Sequence, residues 1–161
     1  MISPLLLRLL RAQFRLDWFG IHGLPHWARV RANGLRLARA SEANPRVVEL
    51  FAFLHDSQRW DDGFDPRHGK RAGDFVRNLG AEFLGLNSAE LECLVEACRF
   101  HSDGLQSSDA TLATCWDADR LDLGRVGIYP NQDLLGTELA RYSEFLNAAY
   151  RRSLHPSPLQ G

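Results

Sequence analysis

Residues 45–59 read PRVVELFAFLHDSQR and join an apolar segment directly to an adjacent His-Asp pair, His55 and Asp56. Apolar residues recur through this segment at three- and four-residue intervals, the spacing of one face of an α-helix. Asn44 and Pro45 open it with a capping residue and a residue that favours the first helical turn. The segment is therefore predicted to be a helix that ends beside two side chains of metal-binding type.

The same spacing extends over most of the chain. Further helices are predicted over 26–40, 66–84, 88–101 and 132–151. Start signals agree, with Pro25 before the first, Asp65-Pro66 before the second, and Asn87-Ser88 with Glu90 before the third. The sequence gives no comparable support for β-strands. We therefore predict an all-α, single-domain bundle of five to seven helices.

A separate helix is predicted over 108–123, close to the C-terminal third of the chain. Ser108 or Asp109 is its expected N-cap, and Gly124 is expected to end it. At the other end, residues 1–14 (MISPLLLRLLRAQF) contain an apolar stretch that arginines interrupt at helical spacing. We interpret this stretch as an amphipathic helix packing on the domain, with a membrane-surface helix as the alternative.

Length and composition indicate one globular domain. The 161 residues are 45% hydrophobic and 24% charged, with a formal net charge of −1, which is ordinary for a soluble protein. We assign the domain to residues 1–152 and a flexible tail to residues 153–161, where two prolines end helical structure. The 19 Lys and Arg residues are matched by 20 Asp and Glu, so nucleic acid is not an expected partner. A membrane partner is not expected either.

Cysteine usage points to a reducing compartment. Cys93, Cys98 and Cys115 are odd in number and show no paired Cys-x-x-Cys spacing. Neither a disulfide framework nor a zinc knuckle is therefore indicated. A cytoplasmic location is expected.

Four histidines stand at predicted helix ends beside acidic residues. They are His26, His55, His68 and His101, and the segment CWDADRLD (115–122) adds aspartates. Divalent transition-type cations bind such mixtures of imidazole nitrogen and carboxylate oxygen. Because these residues are spread over several helices, the interior of a helical bundle is where they can meet.

The sequence contains three segments whose order and context match those of a known family: HWARV (26–30), FLHDSQR (53–59) and DADRLD (117–122). Over roughly residues 22–125 the chain resembles the HD superfamily of metal-dependent phosphohydrolases, which implies an HD-type helical bundle. The resemblance implies His26, His55, Asp56 and Asp119 as metal ligands. Asp119 is preferred to Asp117 because it directly precedes Arg120-Leu121.

His68, in HGKRAG, and His101, in FHSDG, extend the resemblance to a subgroup with two adjacent metals. The resemblance then implies that Asp56 bridges the metals, with His68 and His101 on the second. The expected cofactor is one or two divalent ions, drawn from Mn, Fe, Co, Ni, Mg and Zn. Two such ions can activate a water and bind phosphoryl oxygens.

Other residues beside these ligands are predicted to serve catalysis or to bind substrate. The expected catalytic group comprises Asp56, Arg59, His22 and Asp103, with His22 and Asp103 as either proton donors or supports for a ligand imidazole. The residues expected to contact phosphate are Arg29, Lys70, Arg71 and Arg120. Trp27 and Trp60 are further candidates for stacking a nucleobase.

The resemblance implies hydrolysis of a phosphate ester or anhydride of a nucleotide or related small molecule by metal-activated water. The alternative is a non-catalytic metal- or nucleotide-binding module that acts through a partner. The expected partner of the enzyme is a small phosphorylated substrate. Homodimers are common among such proteins, so a homodimer is the assembly to test.

Overall fold

The computed structural model describes residues 1–155 and confirms an all-α bundle. No strand occurs in that part of the chain, which contains eight α-helices against the predicted five to seven. The helices are α1 (Pro4–Gln13), α2 (Leu24–Arg39), α3 (Pro45–Leu54), α4 (His68–Leu84), α5 (Ser88–Phe100), α6 (Ala110–Arg120), α7 (Glu138–Arg141) and α8 (Ser143–Ser153). Two short 3₁₀ turns, Leu123–Val126 and Gln132–Leu134, connect α6 to α7.

Helix α3 is the central element of the bundle. It packs against α2, α5 and α6, and every residue from Val47 to Leu54 is buried. A helix that is apolar on all sides is stable only when other elements surround it. The Asn44 side chain starts it by accepting hydrogen bonds from the backbone N–H groups of Arg46 and Val47. Since His55 and Asp56 follow its last turn, the chain places them inside the protein.

The predicted capping residues define two other helix starts. Asn87 and Glu90 form a reciprocal capping box at the start of α5. The Asp109 side chain caps α6 by accepting from the N–H groups of Thr111 and Leu112, which makes Asp109, and not Ser108, the N-cap. These caps therefore fix where α5 and α6 begin.

The prediction of one continuous helix over 132–151 is wrong. The buried carboxylate of Asp117 accepts hydrogen bonds from the backbone of Gly136 and Thr137 and from the Thr137 hydroxyl, and extended backbone at Tyr142 separates α7 from α8. The apolar residues of this segment nevertheless pack together, because most of them belong to a small second core. That core comprises Leu37, Leu121, Leu135, Ala140, Phe145, Leu146 and Ala149.

Glycine allows the start of α4 to approach α5. A Cβ atom on Gly69 would lie 2.6 Å from the carbonyl oxygen of Arg99, a separation that no packed side chain tolerates. Because Gly69 follows His68 and Arg99 lies two residues before His101, this close approach sets the two histidines side by side.

The two ends of the chain pack on the bundle as far as the structure describes them. Leu6 and Leu10 of α1 are buried in the main core, so α1 is an amphipathic helix on the domain. Ser153, the first residue of the predicted tail, belongs to α8, whereas residues 156–161 lie outside the described residues. No helix within residues 1–155 is both long and apolar enough to cross a membrane.

We expect Leu50→Ala to lower the free energy of unfolding by about 2–5 kcal/mol, because the side chain is 0% exposed and its loss leaves a cavity. Urea unfolding monitored by circular dichroism, with chelator present, measures this change. Leu5→Ala is the matched control, since Leu5 is 54% exposed and should change stability by only about 0.5 kcal/mol. Equal losses for the two variants would contradict the central position of α3.

Candidate metal centre

Six side chains with nitrogen or oxygen donors meet at the centre of the bundle. His26 comes from α2, His55 and Asp56 follow α3, His68 begins α4, His101 follows α5, and Asp119 lies in α6. All six are buried. Helix ends that are far apart in sequence therefore converge on one point.

One half of this cluster is built around His26 and His55. Their Nε2 atoms lie 3.0 Å apart, and the Asp119 Oδ1 atom is 3.4 Å from the first and 3.7 Å from the second. The Asp56 Oδ2 atom is 3.5 Å from His26 Nε2 and 3.7 Å from His55 Nε2. These atoms surround a point that a single cation could occupy.

The other half is built around His68 and His101. Their Nε2 atoms are 2.9 Å apart, and Asp56 Oδ1 lies 3.4 Å from His68 Nε2 and 3.5 Å from His101 Nε2. The two oxygens of Asp56 thus face different pairs of imidazoles. Each oxygen of Asp56 therefore lies close to the Nε2 atoms of one pair of imidazoles.

Acceptors behind the rings fix the orientation of all four imidazoles. The Nδ1–H groups of His55, His68 and His101 donate to the backbone carbonyl oxygens of Phe51, Asp65 and Cys98, respectively. Because a carbonyl only accepts, each Nδ1 carries the proton of the neutral ring, and Nε2 keeps its lone pair. His26 Nδ1 is held in the same way by the carboxylate of Asp122, at 2.7 Å.

This donor set fits a divalent metal. Neutral imidazoles whose Nε2 lone pairs face each other at hydrogen-bond distance repel unless a proton or a cation lies between them. Asp119 Oδ1 is also buried with no hydrogen-bond partner among residues 1–155, and such orphaned buried oxygens are rare without a ligand. Imidazole nitrogen and carboxylate oxygen are the donors that transition-type cations prefer.

The electrostatics of the cluster keep most donors in their metal-binding forms. Burial lowers the pKa of His55 to about 3, so this ring is neutral near pH 7. Burial opposes ionisation of Asp119, but electrostatic interactions with the His55 ring and the Arg125 guanidinium outweigh it and lower the pKa of this carboxyl. For His101, burial is outweighed by the hydrogen bond to Asp56, which raises its pKa. At His101, a cation would compete with a proton for the Nε2 lone pair.

Three arginines accompany the buried carboxylates of Asp56, Asp119 and Asp122. The Arg59 Nε atom donates to Asp56 Oδ1 at 3.1 Å, and Arg125 Nη2 lies 3.7 Å from Asp119 Oδ1. Arg29, predicted to contact phosphate, instead donates from Nε and Nη2 to the two oxygens of Asp122. The Arg29 side chain thus holds the residue that orients His26.

Sequence reasoning gave no role to Asp122 or Arg125. Asp122 ends the DADRLD segment one helical turn after Asp119, and Arg125 follows three residues later. Helical spacing places such residues on the same side of the chain, which was a usable signal. Arg125 could not be distinguished from the other arginines because its approach to the cluster depends on the 3₁₀ turn Leu123–Val126.

A cavity of about 250 Å³ opens over the cluster. The donors Asp56, His68, His101 and Asp119 line it together with Arg59, Arg120 and Arg125. Arg120 also donates to the carbonyl oxygens of Leu134 and Leu105, so it ties together two segments beside the cavity. The cavity offers an approaching anion several cations next to the donors.

The carboxylates of Asp117 and Asp119 point to different places. Asp117 holds the backbone at Gly136 and Thr137, and its burial raises its pKa despite those hydrogen bonds. Asp119 faces His26 and His55. Only Asp119 of the two contributes to the cluster.

The remaining residues of the sequence-based site lie around the cluster. His22 is buried and pairs through Nδ1 with Asp62 Oδ1 at 2.8 Å, but it does not line the cavity. Asp103 is exposed, although its neighbours Ser102 and Gly104 both line the cavity. Lys70 and Arg71 line a different cavity. Trp27 is 0% exposed and therefore cannot stack a nucleobase.

Comparison with known proteins supports the fold. No protein-family profile matches the sequence, and no curated protein matches it. A crystal structure of a predicted HD superfamily hydrolase from an uncultured Thermotogales bacterium is similar, with a TM-score of 0.68 and 25% identity. The alignment covers 92% of this chain and 84% of that chain. The bundle is therefore of the HD-domain type, and it carries His and Asp groups placed to hold a metal.

We expect Asp122→Asn to weaken metal binding about 10–100-fold, because the amide no longer fixes the Nδ1–H form of His26 as a carboxylate does. Competition against a fluorescent chelator, with Mn²⁺ or Zn²⁺ as the probe, measures the affinity. Asp133→Asn is the control, since Asp133 is exposed and lies outside the cluster. An unchanged affinity in Asp122→Asn would show that this carboxylate has no part in metal binding.

Proposed function

We propose that the protein is a metal-dependent phosphohydrolase that cleaves a phosphate ester or anhydride of a nucleotide or related small molecule. One observation carries the proposal: two pairs of buried imidazoles share the two oxygens of Asp56 beneath a cavity lined by arginines. The likeness to a predicted HD superfamily hydrolase supports the hydrolase class. Acyl-transfer chemistry has no comparable support in the sequence.

His26, His55, Asp56 and Asp119 would hold one divalent ion, and Asp56, His68 and His101 would hold the second. The four imidazoles favour Mn, Fe, Co, Ni or Zn over Mg, which prefers all-oxygen surroundings. When bound, such ions supply a water nucleophile that is deprotonated near neutral pH and neutralise charge on phosphoryl oxygens.

Arg59 and Arg125 are proposed to bind the phosphoryl oxygens. Arg125 uses Nε and Nη1 to donate to the carbonyl oxygens of Ile21 and Asp122, which leaves Nη2 directed toward Asp119 and the cavity. A guanidinium held in this way is preorganised, so it stabilises the charge that develops on the phosphoryl group without a reorganisation cost. Arg120 would shape the same cavity through its two carbonyl contacts.

Asp103 is better placed than His22 to protonate the leaving oxygen. The residues on either side of Asp103 line the cavity, so a substrate bound there would approach its loop. His22 instead connects the turn before α2 to Asp62 in the loop 60–65. We therefore propose that His22 positions that loop and that Asp103 is the candidate proton donor.

The proposed partner is a small phosphorylated molecule. A cavity of about 250 Å³ is at the small end for ligand sites and suits a phosphoryl group with its immediate surroundings. The near balance of 19 basic and 20 acidic residues argues against nucleic acid as a substrate. The free cysteines agree with a reducing, cytoplasmic setting. We also propose that the protein forms a homodimer.

The test is a phosphate-release screen over nucleotides and p-nitrophenyl phosphate with Mn, Fe, Co, Ni, Zn or Mg added to metal-free protein. We expect turnover that requires added metal. Asp56→Asn should reduce it at least about a thousandfold, because metal-site chemistry supplies several kcal/mol of transition-state stabilisation. Asp133→Asn, which changes an exposed carboxylate, should retain full activity.

The alternative function, a metal- or nucleotide-binding module that acts through a partner, makes a different prediction for the same experiment. The module would load metal in proportion to protein, measured by elemental analysis, yet release no phosphate from any substrate. That result would overturn the phosphohydrolase proposal and leave the metal centre in place.

A further inference from the structure

A second cavity lies directly beside the one over the metal centre. It measures about 460 Å³ and is lined by Trp60, Arg67, Lys70 and Arg71. Arg59 and His68 line the first cavity, and their immediate neighbours in sequence, Trp60 and Arg67, line the second. The two cavities are therefore lined by adjacent residues of the same two chain segments, 59–60 and 67–68.

Every charged residue that lines the second cavity is a cation. The backbone carbonyl of Arg67 accepts a hydrogen bond from the Arg71 N–H, but the Arg67 guanidinium has no hydrogen bond or ion pair with any residue from 1 to 155. Lys70 pairs only with Asp74, at 2.7 Å, and the two side chains are 64% and 46% exposed. Exposed pairs of this kind contribute little free energy, so an anionic ligand can replace Asp74 as the partner of Lys70.

The indole of Trp60 holds guanidinium groups and is not a free stacking surface. The Arg71 guanidinium carbon lies 4.0 Å from the ring centroid, and that of Arg15 lies 4.8 Å away. Both distances fall within the range of cation–π interaction. Arg71 is fixed further by the Gln58 carbonyl and the Asp65 carboxylate. The cavity is therefore suited to an anion, and these guanidinium groups would compete with a nucleobase for the ring of Trp60.

We propose that the cavity lined by Trp60, Arg67, Lys70 and Arg71 binds a second phosphate group of the substrate, beyond the one placed over the metal centre. The catalytic role of this phosphate site rests on the proposed function. A first cavity of about 250 Å³ leaves most of a nucleotide-sized molecule outside it. Arginine and lysine side chains bind phosphate oxygens through charge-assisted hydrogen bonds. The favoured substrate class is thus a compound with at least two phosphate groups.

The binding test is isothermal titration calorimetry, with tripolyphosphate as the probe titrated into metal-free protein from which the chelator has been removed. The variant Arg67→Gln with Lys70→Gln should weaken binding by about tenfold or more, because two charge-assisted contacts are lost. Arg77→Gln with Arg151→Gln is the matched control, since it removes two exposed positive charges elsewhere. The control should bind tripolyphosphate within about twofold of the wild type.

A difference of less than twofold between the two double variants would overturn the proposal, as would the absence of binding by the wild type. Circular dichroism establishes that both variants are folded. With metal-loaded enzyme, the Arg67/Lys70 variant should lose about tenfold more kcat/KM toward adenosine triphosphate than toward p-nitrophenyl phosphate. If no compound is turned over, the proposed function fails, while tripolyphosphate binding still decides whether this anion site exists.

Discussion

Four imidazole rings turn their Nε2 atoms toward one another inside the bundle because an acceptor behind each ring holds its Nδ1–H group. For His55, His68 and His101 the acceptor is a backbone carbonyl near a helix end. For His26 it is the carboxylate of Asp122, itself held by Arg29. This arrangement fixes both the tautomer and the direction of each ring, so the cluster is organised for a cation before one binds.

The cost of burying this many polar groups is offset by pairing each carboxylate with an arginine. Asp122 pairs with Arg29, Asp56 with Arg59, and Asp119 with Arg125. An unpaired buried charge would be strongly destabilising. Arg59 and Arg125 also line the cavity, so two of the groups that allow the carboxylates to be buried also offer positive charge to an anionic ligand.

The loop between α3 and α4 connects the metal centre with the second cavity. Arg59 donates to the carbonyl oxygens of Asp61 and Gly63 in this loop, and the Asp65 carboxylate accepts from the Trp60 N–H and from Arg71. His22, in the turn before α2, pairs with Asp62 of this loop. The loop is exposed over residues 60–64, but the acidic side chains of Asp62 and Asp65 hydrogen-bond to defined partners within and beside it.

The sequence by itself determined the helical class, most helix boundaries and the residue types of the cluster. Local signals suffice for these features: apolar periodicity for α2 to α6, side-chain caps at Asn44, Asn87 and Asp109, and a His-Asp pair after an apolar helix. Only the tertiary structure decided the break between α7 and α8, the role of Arg29, and the approach of Arg125. Each depends on a partner far away in the chain, such as Asp117 for Gly136 or Asp122 for Arg29. Periodicity and spacing describe neighbours along a helix, whereas these contacts form only when separate helices pack.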